Sequence, residues 1–582
     1  MRIRHLLSET SARRDTEQAG NFFLKNEGSF FTMRPNRNSR YDGWFIEDTR
    51  PTPSHFTKLI ERITYVKGDD NVSPDPVGIT IADHAAFWEY GDGAKLGFQL
   101  APDHLGMQIR ASRPFTLQIT LDIRDMYKIP EFGRDYQISR VAGAVVVKYT
   151  DSILSQPIYL HISSNDYIEV EGSWSQVSYP WDAGRNSSPS QLYAFNFGQV
   201  TTDTLSIGAG YSPEEAQAAA HAARRIPLEI VGIGISYVED DFNAEILCAK
   251  ESTRRALGWL QGPKGTYAGL PWFHQTWSRD ELIAALGMDA AGQREVIQRY
   301  ISNPLQNGEL PTFIGSGTYS ADGIGWLCLL LREHGIEHLS QAGKDALAEF
   351  FLTAKTGLSE GRTGIHGFIH SGHNATWMDT IGRTGYRIDV QCMYALLLEV
   401  LGKLTDEPAF EEERLAFLEN IRGSFFRDGY LWDGVDDASK RPNVFLAYLL
   451  QPELLSSEDW KLTFSEVIAV TGTPWGGLTS LDRNDNAFQP ESTGENNLSY
   501  HNGDSWFFVN NLAAVALHRC DNHVYAQTIS RLVRSSTDEI LWKNMLGQPG
   551  EIASADSGTS WGCGIQAFSA GTYLFLLEEL AK

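Results

Sequence analysis

Near residue 240 the hydrophobic period of this chain changes from two to 3.6, and that switch constrains the fold more than any other feature. Before it, short segments alternate apolar with polar residues, as in Leu96-Gly-Phe-Gln-Leu, Gly106-Met-Gln-Ile-Arg and Phe115-Thr-Leu-Gln-Ile-Thr-Leu-Asp-Ile. Ala144-Val-Val-Val-Lys-Tyr, Ile158-Tyr-Leu-His-Ile, Gln191-Leu-Tyr-Ala-Phe-Asn-Phe and Ile230-Val-Gly-Ile-Gly-Ile-Ser continue the series. Gly, Pro and Asp separate many of them, and many short strands at such spacing predict an antiparallel β-sandwich over 1–240. One helix is expected inside it, 212–225, opened by a Ser cap with Pro in its first turn.

From 241 to 582 the pattern predicts helices at 243–260, 279–302 with one break, 320–335, 340–357, 386–403, 407–424, 441–452, 456–470, 503–520, 522–543 and 561–581. Roughly a dozen helices of this kind fit an inner and an outer ring, an (α/α)6 barrel. A helical solenoid is the competing architecture, but no fixed repeat is visible.

Charge narrows the ligands. Lys and Arg number 49 against 73 Asp and Glu, a net charge of −24. That balance argues against a nucleic-acid partner, which needs cations against phosphate, and disfavours anionic lipid. The five cysteines include no C-x-x-C pair, so neither a disulfide framework nor a zinc knuckle is expected. The basic start Met1-Arg-Ile-Arg-His-Leu-Leu has too short an apolar run for a signal peptide, and no segment is apolar over the length of a membrane span. A cytoplasmic enzyme or binding protein is the expected class.

The second half has long loops rich in Gly, His, Trp and Asn, and 11 of the 15 tryptophans lie after residue 240. A tryptophan can pack a core or offer its face to a sugar ring; their coincidence with carboxylates and Arg favours the latter. Leu270-Pro-Trp-Phe-His-Gln-Thr-Trp-Ser-Arg-Asp-Glu-Leu-Ile joins Trp272, Phe273 and Trp277 to Arg279 and Asp280 at a helix start. The helix dipole favours an Asp there in any protein, and an Arg–Asp pair beside Trp also suits the hydroxyls of a sugar. Asn374-Ala-Thr-Trp-Met-Asp-Thr places Asp379 after an apolar pair, where burial raises a carboxyl pKa toward that of a proton donor at neutral pH. A helix-capping Asp is the alternative. Gln489-Pro-Glu-Ser-Thr-Gly-Glu, Ser499-Tyr-His-Asn-Gly-Asp-Ser-Trp and Gly550-Glu-Ile-Ala supply further carboxylates, among them Glu551 before the last helix. Alone, Glu551 reads as a surface residue; paired, it is a second carboxylate for acid–base work.

His366, His370 and His373 have metal-ligand spacing, but interleaved glycines argue against one helix face, and no metal is expected. Nothing in the chain has the spacing of a phosphate-cradling loop or a nucleophile elbow.

In order, Gly269-Leu-Pro-Trp-Phe with Trp277-Ser-Arg-Asp, Ser320-Ala-Asp, Ala375-Thr-Trp-Met-Asp, Arg441-Pro-Asn, Tyr500-His-Asn-Gly with Trp506, and Gly562-Cys with Gln566-Ala-Phe-Ser resemble the glucosidase portion of the glycogen-debranching amylo-α-1,6-glucosidase family. Upstream, Leu24-Lys-Asn-Glu-Gly-Ser-Phe-Phe and Arg40-Tyr-Asp-Gly-Trp-Phe-Ile are similar to that family's N-terminal domain. The resemblance implies a β-sandwich followed by a catalytic (α/α)6 barrel, and an inverting glycoside hydrolase with Asp379 as general acid and Glu551 as general base. Glucoamylases, more distantly similar, carry a segment like Thr276-Trp-Ser-Arg-Asp, and by that likeness Arg279 and Asp280 hold the terminal glucose. The expected binding residues are Trp272, Trp277, Arg279, Asp280, Asp322, Trp377, His501 and Trp506. Glu491 and Glu495 are rival candidates for the base, because Pro-Gly-Glu-Ile-Ala only loosely follows the family's pattern. The expected activity is release of glucose from an α-glucan at α-1,6 stubs, without cofactor; any glucan-transfer step falls to another protein. An α-1,4-acting or small-glucoside hydrolase, and a non-catalytic carbohydrate-binding protein on the same fold, are the alternatives.

Overall fold

The computed structural model describes residues 2–6, 21–35, 38–48, 55–66, 75–82, 84–130, 132–227, 234–236, 242–336, 339–362 and 364–582. The chain divides into two compact units, Met1–Arg255 with Ile540–Gln548, and Ala256–Glu539 with Pro549–Lys582. The boundary expected at 240/241 lies outside the described residues, as do residues 230–233 of the last expected strand.

In the first unit the strands are β1 (Arg2–Leu6), β2 (Phe22–Asn26), β3 (Ser29–Met33), β4 (Gly43–Glu47), β5 (Phe56–Val66), β6 (Pro76–Ile81), β7 (Ala85–Tyr90), β8 (Lys95–Leu100) and β9 (Gly106–Asp125). They continue with β10 (Asp135–Val141), β11 (Ala144–Thr150), β12 (Ile158–Ser164), β13 (Ile168–Ser178), β14 (Gln191–Gly210) and β15 (Gly234–Ser236). All pairs are antiparallel except β1 with β15. The 20-residue strands β9 and β14 run through both layers of a sandwich. The first part of β9 pairs with β8 and its second part with β5. Likewise β14 pairs first with β13 and then with β12. Their mutual register slips between Thr202 and Thr204, the kind of irregularity that lets a strand turn a corner between sheets. Rings from the two layers meet in the core: Phe22 of β2 lies 5.6 Å from Phe98 of β8 and 5.5 Å from Trp88 of β7.

The two segments read separately at 106–110 and 115–123 are therefore one strand. The helix expected at 212–225 is present at Pro213–Arg225, with the Ser212 side chain accepting from the Glu215 N–H. Its buried face is alanine only, and it lies so close to the sheet that a Cβ on Gly208 would stand 2.1 Å from the Ala216 carbonyl.

In the second unit, six helices are buried over most of their length: αA (Ser278–Ala285), αC (Gly323–His334), αE (Ile388–Thr405), αG (Asn443–Leu450), αI (Phe507–Asp521) and αK (Ala567–Glu579). Each packs on the next, and αK packs on αA, so the ring closes. In chain order they alternate with αB (Ala290–Ile301), αD (Gln341–Arg362), αF (Pro408–Phe425), αH (Ser457–Thr471) and αJ (Ala526–Trp542); the helix Phe242–Trp259, most of which belongs to the first unit, precedes them in sequence. Closure excludes the solenoid and matches the expected (α/α)6 barrel. Close approach at the seam needs glycine: a Cβ on Gly571 of αK would lie 2.1 Å from the Ala284 carbonyl of αA. Among the described residues no helix is long and apolar enough to cross a membrane.

Candidate active site

An inner helix buried on every side cannot carry polar chemistry along its length, so the polar residues collect in the loops that lead into these helices. Trp277 occupies the cap of αA, with Arg279 and Asp280 in its first turn. Asp322 caps αC by position but makes no cap hydrogen bond. Its carboxylate turns instead to Arg279, accepting from Nε at 2.6 Å and from Nη2 at 3.3 Å. A good cap stabilises a helix by about 1 kcal/mol; here the carboxylate serves a bidentate pair.

Arg279 also reaches Asp379, donating from Nη1 to Oδ2 at 3.3 Å. One guanidinium thus fixes carboxylates from two loops. Asp379 lies in the loop well before αE, so it does not cap a helix. Its side chain keeps 35% of its exposure because it faces a cavity. Burial on its other sides raises its pKa, Arg279 opposes the rise, and the Asp322 charge adds to it.

Glu551 is buried in the segment preceding αK. It accepts from the Cys563 N–H at 2.7 Å through Oε2 and from the Tyr500 hydroxyl through Oε1. Short strand pairs hold these loops: Ser505–Trp506 against Ile552–Ala553, and Gly269–Leu270 against Ile565–Gln566. The second pair brings Gln566 to Asp280, whose Oδ1 accepts from Gln566 Nε2 at 3.1 Å. Burial pushes Asp280 up to about 7; Arg279 opposes this, and the charges of Asp379 and Glu551 reinforce it. Tyr500, also buried, is pushed well above its ordinary value by burial and then by Glu551, with Asp379 and Asp280 contributing. Asp280 and Tyr500 therefore both lie within the fields of Asp379 and Glu551. Residues far apart in sequence form one electrostatic unit.

Behind this unit stands a packed aromatic block. Trp506 stacks on His501 at 5.0 Å and meets Tyr500 edge-on at 4.6 Å, while Trp377 meets His501 and Trp506 edge-on at 5.5 and 5.6 Å. Trp377 Nε1 donates to Asn443 and Trp506 Nε1 to the Tyr500 carbonyl. Burial, then the charges of Arg441 and Arg279, lower the His501 pKa well below its ordinary value, so its ring is neutral. Its Nδ1 sits 2.7 Å from the Thr380 hydroxyl.

A cavity of about 580 Å3 opens beside Asp379. Of the expected binding residues, Trp277 and Arg279 line it, whereas Asp280 and Asp322 lie deeper and Trp377, His501 and Trp506 form the block behind. Trp272 is buried and packs edge-on against Phe273 at 6.4 Å. Glu491 and Glu495 are both on the surface. Glu491 accepts from Ser557 at 3.0 Å. His373 lines the cavity, and among the described residues no cluster of His, Cys, Asp and Glu could hold a metal.

Sequence reasoning assigned no role to Tyr500 or Gln566, although both lie in the motifs it quoted. It missed the support of the Asp379 loop altogether. Arg383 is buried between Asp389 and Asp433, with distances of 2.7–2.9 Å to each. Burial alone would raise Asp433; Arg383 overrides it and holds the group at about 2. No local spacing announces a pairing of residues so far apart.

Six helical hairpins closing a barrel, with carboxylates of separate loops gathered where the inner helices begin, define a glycoside hydrolase of the six-hairpin type. The sequence profile described as amylo-alpha-1,6-glucosidase matches residues 260–574, more than half of the chain, and the chain belongs to that family. In fold it is similar to a bacterial glucoamylase whose crystal structure contains acarbose, with 13% identity, a TM-score of 0.59, and coverage of 98% of this chain and 94% of that one. It is also similar to the GH63 mannosylglycerate hydrolase of Thermus thermophilus, solved with glucose, at 14% identity and a TM-score of 0.43, over 56% of this chain and 99% of that one. No curated protein sequence matches the chain.

Proposed function

We propose that this enzyme is an exo-acting, inverting α-glucosidase that releases glucose from an α-glucan at α-1,6 branch stubs, with Asp379 as general acid and Glu551 as general base. The observation that carries the reading is the set of contacts that ties Asp379 to Arg279, the adjacent Asp280 to Gln566, and Glu551 to Tyr500 and to Cys563 of the loop that leads to Gln566. Asp379, raised by burial, suits a proton donor at neutral pH. It gives its proton to the glycosidic oxygen as the C1–O bond breaks. Glu551, held through both oxygens, takes a proton from the water whose oxygen attacks C1 on the opposite face. The product sugar leaves with inverted configuration, and an inverting pair stands about 6.5–9.5 Å apart to admit that water. Arg279 and Asp280 grip hydroxyls of the terminal sugar with charge-assisted hydrogen bonds.

The family's description supports the α-1,6 linkage, and the acarbose-bound structure of the same fold supports an α-glucan ligand. Acid, base and water suffice for this chemistry, so the reading invokes no cofactor. All five cysteines are unpaired, which suits a reducing compartment, and we assign the enzyme to the cytoplasm. A second reading, an α-1,4-acting enzyme, draws on the Thr276-Trp-Ser-Arg-Asp segment and the glucoamylase likeness.

Limit dextrin, isomaltose and maltose, followed by NMR of the released anomer, separate the readings. The proposal expects β-glucose, with isomaltose and limit dextrin preferred to maltose. Asp379→Asn and Glu551→Gln are each expected to lower kcat by about 10²–10⁴, while Glu491→Gln and Glu495→Gln leave it within about twofold. Release of α-glucose, or full turnover by Glu551→Gln, overturns the mechanism; a preference for maltose transfers the linkage to the second reading.

A further inference from the structure

The sandwich of the first unit is open along one side, between the terminal strands of its layers. Among the described strands β10 pairs only with β11, and β13 only with β14. Tyr136 of β10 and Phe195 of β14 stack at 4.4 Å in this opening, and Trp174 of β13 lies 5.5 Å from each. Arg134 and Arg140 flank Tyr136 and Ile138 at strand spacing, so the four side chains leave one face of the strand, and Tyr136 and Ile138 pack on the core. The arginines reach across to the opposite edge. Arg134 lies over the Trp174 ring at 4.9 Å, and Arg140 over the Tyr167 ring at 4.7 Å.

A seal over the core would bury the rings it recruits, and these stay out. Trp174 keeps 44% of its exposure, Tyr167 75% and the nearby Tyr193 62%. Trp174 pairs with Phe195 and Gln176 with Tyr193, so Trp174 and Tyr193 are diagonal neighbours on one face, about 7 Å apart. That face continues in exposed amides and a hydroxyl: Gln176 donates to Gln191 at 3.2 Å, and Gln191 to Ser178 Oγ at 3.4 Å. The two arginine–ring pairs, six residues apart along β10, spread over about 20 Å, the span of a chain and not of one sugar.

Charge selects the occupant. Arg134 is committed to the Asp122 carboxylate at 2.7 Å and to the Tyr193 carbonyl at 2.8 Å, and the remaining polar groups of the face are neutral. Glu169 and Glu171 stand exposed on the same strand, and the chain carries −24, so a polyanion is repelled. Those two charges, with the register break between Val170 and Ser173, also guard the edge against pairing with a second copy. Exposed rings beside neutral hydrogen-bonding side chains suit the C–H faces and hydroxyls of a neutral polysaccharide.

We propose that Trp174, Tyr193 and Tyr167, with Gln176 and Gln191, form a surface of the sandwich that holds a chain of polymeric α-glucan. The choice of α-glucan among neutral polysaccharides rests on the activity proposed above. The full chain is run in native gels containing glycogen or hydroxyethyl cellulose, and kcat/KM is measured on isomaltose and on limit dextrin. Glycogen should retard the wild type and cellulose should not. Trp174→Ala and Tyr193→Ala should each raise the dissociation constant for glycogen by about threefold to tenfold, and KM for limit dextrin with it. Trp174→Phe, which keeps a ring, should stay within about twofold, as should every variant on isomaltose. Unchanged retardation in both alanine variants overturns the proposal, and so does equal retardation by cellulose. An equal fall on isomaltose and limit dextrin marks a structural effect and also overturns it. A wild-type dimer that Trp174→Ala splits, seen by light scattering, gives the face to a second copy instead. Absence of turnover on isomaltose, maltose and limit dextrin removes the proposed activity; retardation by glycogen that still depends on Trp174 then upholds the surface.

Discussion

Asp280→Asn should make the folded protein more stable while making the enzyme worse, and the gain should depend on pH. Asp280 is buried, and its pKa is raised from 3.8 to about 7, first by burial and then by the charges of Asp379 and Glu551, against the opposing pull of Arg279. Below pH 3.8 folded and unfolded chains both hold this proton, so ionisation of Asp280 costs nothing. Between 3.8 and 7 the unfolded chain has released a proton that the folded chain retains, and stability falls as pH rises. Above 7 the full cost is present. Three pKa units correspond to about 4 kcal/mol at 1.36 kcal/mol each. The repulsion from Asp379 and Glu551 is shared within the cluster and not borne by Asp280 alone, so about 2–4 kcal/mol is the expected order.

Asparagine is isosteric and can still accept from Gln566 Nε2 through its amide oxygen, so this substitution removes the charge and keeps the contact. Urea unfolding of both proteins, stepped from pH 4 to 8.5, should show nearly equal stability at the acid end and a gap that widens to its full value near pH 8. On the same samples kcat/KM should fall about 10- to 100-fold, because a charge-assisted hydrogen bond to the sugar is lost. A gap that is flat across the range, or a variant less stable than the parent at pH 8, refutes the reasoning.

Tyr500→Phe removes the hydroxyl that holds Glu551 Oε1 and should lower kcat about 10- to 100-fold with a smaller change in KM, measured on isomaltose. Arg383→Met leaves Asp389 and Asp433 buried without their shared cation, and denaturant unfolding should show a loss of about 3–5 kcal/mol. That loss should shrink as pH falls toward 2 and Asp433 becomes protonated, since the wild-type contribution is present above its ordinary value of 3.8 and disappears as pH falls through about 2. Gly571→Ala drives a methyl toward the Ala284 carbonyl where the ring closes, and calorimetry should register about 1–3 kcal/mol of destabilisation.

The barrel was legible because its helices alternate between two chemistries. Inner helices such as Ile388–Thr405 are apolar almost throughout, outer ones such as Ala526–Trp542 carry an apolar stripe, and Gly-, Asn- and Trp-rich loops mark each boundary. The sandwich was less legible. Strand β13 reads IEVEGSWSQVS and is largely exposed, so its alternation has little apolar amplitude. Strand β9 is interrupted at Ala111-Ser-Arg-Pro, where both expected segments end, although the backbone continues. In the site, Arg279, Asp280, Asp379 and Glu551 stood out because local motifs carry them. Tyr500 gained its part only when one strand pair placed its loop beside Glu551, and Arg383 when the fold brought Asp433 to it. Periodicity reports which face of an element is buried; it does not report which loops meet.

Where they meet follows from helix polarity. Six buried helices cannot satisfy charges along their length, but their first turns leave N–H groups unpaired and a partial positive charge, and their last turns leave the reverse. Acidic residues stand at or just before the starts of inner helices: Asp280 on αA, Asp322 on αC, Asp389 on αE. Cations stand at the ends: Arg332 on αC donates to the Leu449 and Leu450 carbonyls that close αG, and Arg519 on αI bridges Glu333 and Glu579. Carboxylate chemistry is favoured only at the first of these ends. There the dipoles lean toward ionised acids while burial leans against them, and the second effect wins at Asp280, whose pKa rises. A site assembled at the opposite ends would face carbonyl oxygens and arginines instead of N–H groups and carboxylates.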